Sequence, residues 1–204
     1  MAGTKEKILD TALELFNKQG IDQTTIRHIA QEMGISHGNL QYHFANTDLI
    51  IRALYDRLWQ GFEDLMQQAP AQIGEEMNGF RQSVSFTFRH TYTYRFIFLH
   101  FVEIGRRIPE IATHYRRNYK IREQQFLRMF GLMKEKGFMR KDIPEKVLSY
   151  FVHQLFMICD GWLSSNELIL QLKEKKALAY YEELFFSMLY PYLTAKGIKS
   201  LMPV

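Results

Sequence analysis

The segment Thr24–Phe44, TTIRHIAQEMGISHGNLQYHF, decides how the rest of the chain is read. Ile26, Ile29 and Ala30 recur at helical spacing behind two threonines able to cap a helix, and Gly34 follows close behind. Ser36 then opens a second, shorter stretch in which Leu40 and Phe44 are the apolar positions. Two short helices joined by a tight glycine turn form a helix-turn-helix. Their apolar residues can pack with Ile8, Ala12 and Phe16 of a preceding helix, predicted from an N-cap at Thr4 to Lys18 and stopped by Gly20. His37, Gly38, Asn39, Gln41, Tyr42 and His43 are left largely outside this three-helix core. So short a helix does not persist alone in water, and tertiary packing must hold it.

Beyond this segment the helical period continues. Asn46 precedes a long helix with Ile51, Leu54, Leu58, Phe62 and Leu65 on one face. Gly74, Asn78 and Gly79 mark a looser connection. Further helices are predicted over about 80–89, 93–104, 110–136, 144–165 and 175–196, with breaks at Gly105 and Pro109, at Gly137, at Pro144 and at Ser164–Asn166. Pro191 is expected to kink or end the last of them. The fold class is therefore all-α with about nine helices. A three-helix helix-turn-helix domain over 4–60 is followed by a larger helical domain over 61–204.

Composition narrows the function classes. With 47% hydrophobic residues in 204, the chain can bury a substantial core. Its one cysteine, Cys159, excludes an intrachain disulfide and fits a reducing cytoplasm. The opening MAGTKEKILD lacks a basic stretch followed by an apolar run, so no signal peptide is expected, and no apolar run approaches the ~20 residues of a membrane span. No membrane partner is expected. None of the seven histidines stands three or four residues from another or from Cys159, so neither a metal site nor a cofactor is expected. Without a glycine-rich phosphate loop or a G-x-S-x-G elbow, nothing points to an enzyme. Charge is unevenly spread. Residues 1–50 hold four Lys or Arg against six Asp or Glu, formally −2, whereas 105–141 hold eleven Lys or Arg against three Glu. The basic stretch reads mainly as solvated helix faces, with attraction of an anionic ligand or of extra DNA backbone by Arg106, Arg107, Arg116, Arg117, Lys120 and Arg122 as the alternative.

Residues 4–60 resemble the TetR family of bacterial regulators: an amphipathic first helix, a glycine, T-T-I-R-x-I-A, then G-I-S-x-G-x-L-x-Y-H-F and a helix-opening N-x-D. The resemblance implies a DNA-binding transcriptional regulator, a homodimeric repressor on a roughly palindromic double-stranded operator, released by an unknown small-molecule effector. It implies that Thr25 and Tyr42 anchor phosphates with His43 beside them, and that Ser36, His37, Gly38, Asn39 and Gln41 face the major groove. Thr24, Arg27 and Thr47 complete the expected DNA-binding set. Two positions depart from the family pattern. Thr47 stands where many members carry a phosphate-reaching lysine, and Gln41 where an aromatic is common. Together with the acidic head, this implies a shallow salt dependence, since each phosphate ion contact contributes roughly −0.9 to the slope.

Past residue 60 the resemblance is architectural. A crowd of aromatics suits a cavity for an apolar or aromatic ligand, with Phe62, Phe86, Tyr94, Phe98, Phe101, Tyr115, Tyr119, Phe126, Met157 and Trp162 as candidate ligand contacts. Phe151, Leu155 and Ile158 form one apolar stripe, and Leu178, Tyr181, Phe185 and Met188 another. The resemblance implies that these last two helices pair with their symmetry mates as a four-helix bundle.

Overall fold

A computed structural model describes residues 3–68 and 77–201 of the chain, so Gly74 of the expected connection lies outside the described residues. The helices are α1 (Thr4–Gln19), α2 (Ile26–Glu32), α3 (His37–His43), α4 (Thr47–Gln68), α5 (Asn78–Thr93), α6 (Arg95–Leu99), α7 (Phe101–Arg107), α8 (Pro109–Glu135), α9 (Glu145–Ser165), α10 (Glu174–Leu189) and α11 (Ala195–Leu201). The class is all-α, and among the described residues the only β feature is an isolated bridge between Met139 and Leu193. Two compact units emerge. One takes the chain up to Gly61 together with Thr93–His114; the other takes Phe62–Tyr92 and the chain from Tyr115 onward.

In the first unit, α1 buries Ile8, Leu9, Ala12, Leu13 and Phe16. Its N-cap is Gly3 rather than the expected Thr4, because Thr4 already lies in the helix and no side chain caps the end. Gly20 ends α1 at φ +81°, in the left-handed region open to glycine, with its amide bonded to the Phe16 carbonyl at 3.0 Å. Thr25 caps α2, its Oγ1 accepting from the His28 amide at 3.3 Å. The turn onward needs Gly34 at φ +65°, and the Ile35 amide reaches back to the Ala30 carbonyl at 3.0 Å. Ser36 Oγ then accepts from the Asn39 amide at 3.1 Å, and Asn46 Oδ1 from the Leu49 amide at 3.0 Å, so α3 and α4 are both capped.

Thr93–His114 joins this unit although the sequence expectation places it in the larger domain. The physical reason is Asn17 on α1. Its Nδ2 donates to the Thr93 carbonyl at 2.8 Å and its Oδ1 accepts from the Phe96 amide at 3.1 Å. Beside this clamp the Phe16 and Phe96 rings lie 5.0 Å apart. The single helix expected over 93–104 is broken twice, at Tyr94 (φ −103°, ψ 33°) and at His100 (φ −113°, ψ 24°), by residues that carry no glycine or proline signal.

In the second unit Trp162 sits at the centre of packing. Its Nε1 donates to Thr91 Oγ1 at 3.1 Å, and its ring meets Phe88 at 5.5 Å and Tyr181 at 5.1 Å. α9 continues into a π-turn over Asn166–Leu170, ended by Gln171 at φ +50°. Buried Asn166 secures this end, donating to the Leu172 carbonyl at 3.0 Å and accepting from its amide at 3.2 Å. The helix expected to 196 stops at Leu189, and Pro191 lies in a 3₁₀ turn, Tyr190–Tyr192. The chain then forms the unexpected α11, pinned where Thr194 Oγ1 donates to the Gly137 carbonyl at 2.7 Å.

The Asn17 clamp gives a test. Asn17→Ala leaves the Thr93 carbonyl and the Phe96 amide without these partners and is expected to lower stability by about 1–3 kcal/mol in urea unfolding. An unchanged midpoint would show that water replaces the side chain at no cost.

Candidate nucleic-acid interface

α3 has seven residues and a single buried one, Leu40, with Phe44 buried just beyond its end. That one-sided burial turns the rest of the helix outward. His37, Gly38, Asn39 and Gln41 are exposed, and Tyr42 is 87% exposed, its ring edge-on to half-buried His43 at 5.3 Å. The side chains of His37, Asn39 and Gln41 make no hydrogen bond among the described residues, which leaves their donors and acceptors open to base edges. Thr25 and Arg27 are exposed at the start of α2. Thr24 is a correction: it is buried, and its hydroxyl donates to the Gly20 carbonyl at 2.9 Å, so it secures the loop rather than a phosphate. His28 is tied down as well, its Nδ1 lying 2.7 Å from the Gln23 carbonyl oxygen and 3.4 Å from the Thr25 amide nitrogen.

Two cations from outside Thr24–Phe44 are brought beside it. Lys5 Nζ lies 5.4 Å from the centre of the Phe44 ring. Arg107, at the end of α7, donates from Nη2 to Thr47 Oγ1 at 3.0 Å and pairs with Asp48 at 2.6 Å. No periodicity links position 107 to position 47, and only the clamped return of Thr93–His114 to this unit brings them together.

The predicted ligand contacts are divided between the two units. Tyr94, Phe98 and Phe101 belong to the first unit, where the Tyr94 hydroxyl accepts from Arg57 Nε at 2.9 Å. Met157 is 74% exposed, because its position on α9 lies opposite the buried stripe. Trp162 is spent on core packing and on Thr91. In the second unit, Phe62 and Phe86 both meet the His90 ring at 5.0 Å, and Phe126 meets Phe156 at 5.5 Å. Tyr119 meets Phe156 at 4.7 Å, while the Tyr115 hydroxyl donates to the Asp160 carboxylate.

Charged side chains accompany these rings. The Arg122 guanidinium lies 4.5 Å from the Phe62 ring centre. Burial pushes the Asp160 carboxyl up to about 6, against the hydrogen bond from Tyr115 and the charge of Arg122. Burial likewise pushes the Cys159 thiol up to about 12 and holds Arg122 below the ordinary guanidinium range.

The predicted dimer contacts divide by burial. Phe151, Leu155, Tyr181 and Phe185 are buried within this one chain, because the strongest apolar stripes of α9 and α10 face their own unit. Ile158, Leu178 and Met188 are half-buried. The apolar residues left outside are Val147, Tyr150 and Met157 on α9 and Tyr180 and Leu184 on α10.

A capped helix-turn-helix with an open polar face defines a DNA-binding regulator. Comparison with known proteins gives the family. Residues 8–54 match the family of bacterial regulatory proteins named for tetR, and residues 62–201 match the TetR bacterial transcriptional repressor family, so the chain belongs to the TetR family. The chain is thus a DNA-binding transcriptional regulator and not an enzyme. The probable HTH-type transcriptional regulator YttP of Bacillus subtilis is 23% identical over 158 residues, covering 74% of this chain and 73% of that one. A TetR-family regulator from Marinobacter aquaeolei shares the fold at a TM-score of 0.87 and 22% identity, over 98% of this chain and 96% of that chain. SmeT, the repressor of the Stenotrophomonas maltophilia multidrug efflux pump SmeDEF, shares it at a TM-score of 0.68 and 18% identity over 95% and 92%. SmeT is also known in complex with triclosan, with a TM-score of 0.65 to this chain at 17% identity over 94% and 92%. Among the described residues, no helix is long and apolar enough to cross a membrane.

Two outcomes are expected here. Gly38 is helical with open space around its Cα, so Gly38→Ala should raise stability by about 0.5–1 kcal/mol. The same variant adds a methyl to the exposed face of α3 and should weaken DNA binding; unfolding and binding curves moving in the same direction would show that this position does not meet DNA. The second outcome concerns Asp160, whose carboxyl holds its proton to about pH 6 when folded but to about 3.9 when unfolded. Below pH ~4 it is protonated in both states. As pH rises towards 6 the unfolded chain releases the proton first, so native stability falls by about 3 kcal/mol and then levels off. The stability of wild type relative to Asp160→Asn should drop by that order between pH 4 and pH 7.5, and parallel profiles would contradict the burial argument.

Proposed function

We propose that this regulator is a homodimeric repressor, cytoplasmic, binding a roughly palindromic operator and released by a small apolar or aromatic effector. The observation that carries the reading is the outward face of α3, held rigid by caps and by buried Leu40 yet left open to a partner. One such face reads only a few base pairs, and two related by a twofold axis read two half-sites. Thr25, Arg27, Ser36, His37, Gly38, Asn39, Gln41, Tyr42, His43 and Thr47 form the proposed DNA-contacting set.

The exposed residues Val147, Tyr150, Met157, Tyr180 and Leu184 support pairing through α9 and α10, since a monomer gains nothing by leaving such a face in water. The cluster of Phe62, Tyr115, Tyr119, Arg122, Phe126 and Asp160 supports the effector site, with rings for an aromatic ligand and buried polar groups for orientation. Release requires only that the effector bind the non-reading state more tightly than the DNA-bound one. The triclosan complex of SmeT makes triclosan a sensible first probe alongside a panel of small aromatics.

Selection from random duplexes should enrich a twofold sequence, and sedimentation should give a dimer that Met157→Glu with Leu184→Glu converts to monomer. Enrichment without twofold symmetry, or a double variant that stays dimeric, would overturn the homodimer. Operator binding insensitive to the whole aromatic panel would overturn the effector class.

A further inference from the structure

We propose that Arg107, at the end of α7, is a DNA phosphate contact delivered to the start of α4. This rests on α3 being the DNA reader. The only residues between α3 and α4 are Phe44, Ala45 and Asn46, and a chain advances at most about 3.6 Å per residue. The start of α4 is therefore tethered close to the reading helix, and the Arg107 guanidinium is fixed there, 3.0 Å from the Thr47 hydroxyl. The guanidinium uses one nitrogen, Nη2, for both Thr47 and Asp48, and Nε and Nη1 make no hydrogen bond among the described residues. Those N–H groups point to different edges of the guanidinium, and each can donate singly to a phosphate oxygen.

The side chain is 34% exposed and its partner Asp48 39%, so the pair contributes little to folding and stays within reach of an anion. Charge points the same way. Residues 1–50 are formally −2, and a surface that meets a phosphate backbone needs cations from elsewhere. Asp48 holds the guanidinium in place when DNA is absent, and a phosphate then shares it. Arg106, its exposed neighbour, makes no hydrogen bond to α4 among the described residues and supplies a control of equal charge.

The test measures binding of the full chain to the selected duplex and to a mixed-sequence duplex between 50 and 200 mM salt. Arg107→Gln should reduce the slope of log affinity against log salt by about 0.9 per copy bound, on both duplexes alike, without changing the ratio between them. Arg107→Lys should keep the slope, and Arg106→Gln should leave it unchanged. An unaltered slope in Arg107→Gln would show that Arg107 is only an internal strut, and an equal loss in Arg106→Gln would show a diffuse charge effect; either overturns the assignment. Should Arg107→Gln fail to fold, the Nε–H resonance of Arg107 in labelled wild-type protein is expected to shift on adding duplex, and an unmoved resonance overturns it too. Wild-type protein that binds neither duplex would instead remove the reading of α3 on which the assignment stands.

Discussion

A helix of seven residues spends most of its length on unsatisfied ends, so α3 exists only because something outside it fixes its shape. Burial of Leu40 within α3 and of Phe44 just after it does this, while the Ser36 hydroxyl and the Phe44 amide, bonded to Leu40 at 2.9 Å, secure the two ends. Every outward group on the reading face inherits its position from those contacts. On the proposed reading of α3 as the DNA contact, a helix already ordered before any duplex arrives has little conformational entropy left to lose on binding. The face can then rely on hydrogen bonding with few ammonium or guanidinium groups of its own.

The helix-turn-helix was legible because its signals are local. Caps, the left-handed Gly34 and the spacing of Ile26, Ile29, Ala30 and Leu40 all act within a few residues. The breaks at Tyr94 and His100 are not legible, since neither carries a glycine or proline signal, and Asn17, which holds the backbone on either side of Tyr94, lies far away in sequence. The two helices expected to form a dimer interface show a more general limit. The most apolar stripe is the easiest to find, and it is the stripe the chain keeps for itself, as Phe151, Leu155, Tyr181 and Phe185 do. The outer stripe of Val147, Tyr150 and Met157 is interrupted by polar residues and reads as ordinary surface until burial is known. In the sequence Asp160 is only a charge within an apolar stretch, and the partners that give it meaning, Tyr115 and Arg122, sit on a different helix.

That buried cluster is costly to keep. A carboxyl pushed towards neutrality and a guanidinium held below its usual range contribute less to stability than well-packed apolar residues of similar size would. Trp162 and Thr91 show the cheaper arrangement a few residues away, one indole N–H matched to one hydroxyl among rings. The contrast separates a part of the second unit built for packing from a part that carries polar groups beyond what packing requires.

The membership of Thr93–His114 in the reading unit also bears on how the protein is made. Phe16 and Asn17 have their ring and backbone partners about eighty residues further along, so a nascent chain that has exposed only α1–α4 still lacks part of its core. The reading unit therefore closes late in synthesis, after α5 has already emerged. For the same reason a cut at Gly61 removes native contacts of this unit: the excised piece loses the backbone partners of the Asn17 amide and the Phe96 ring that packs on Phe16.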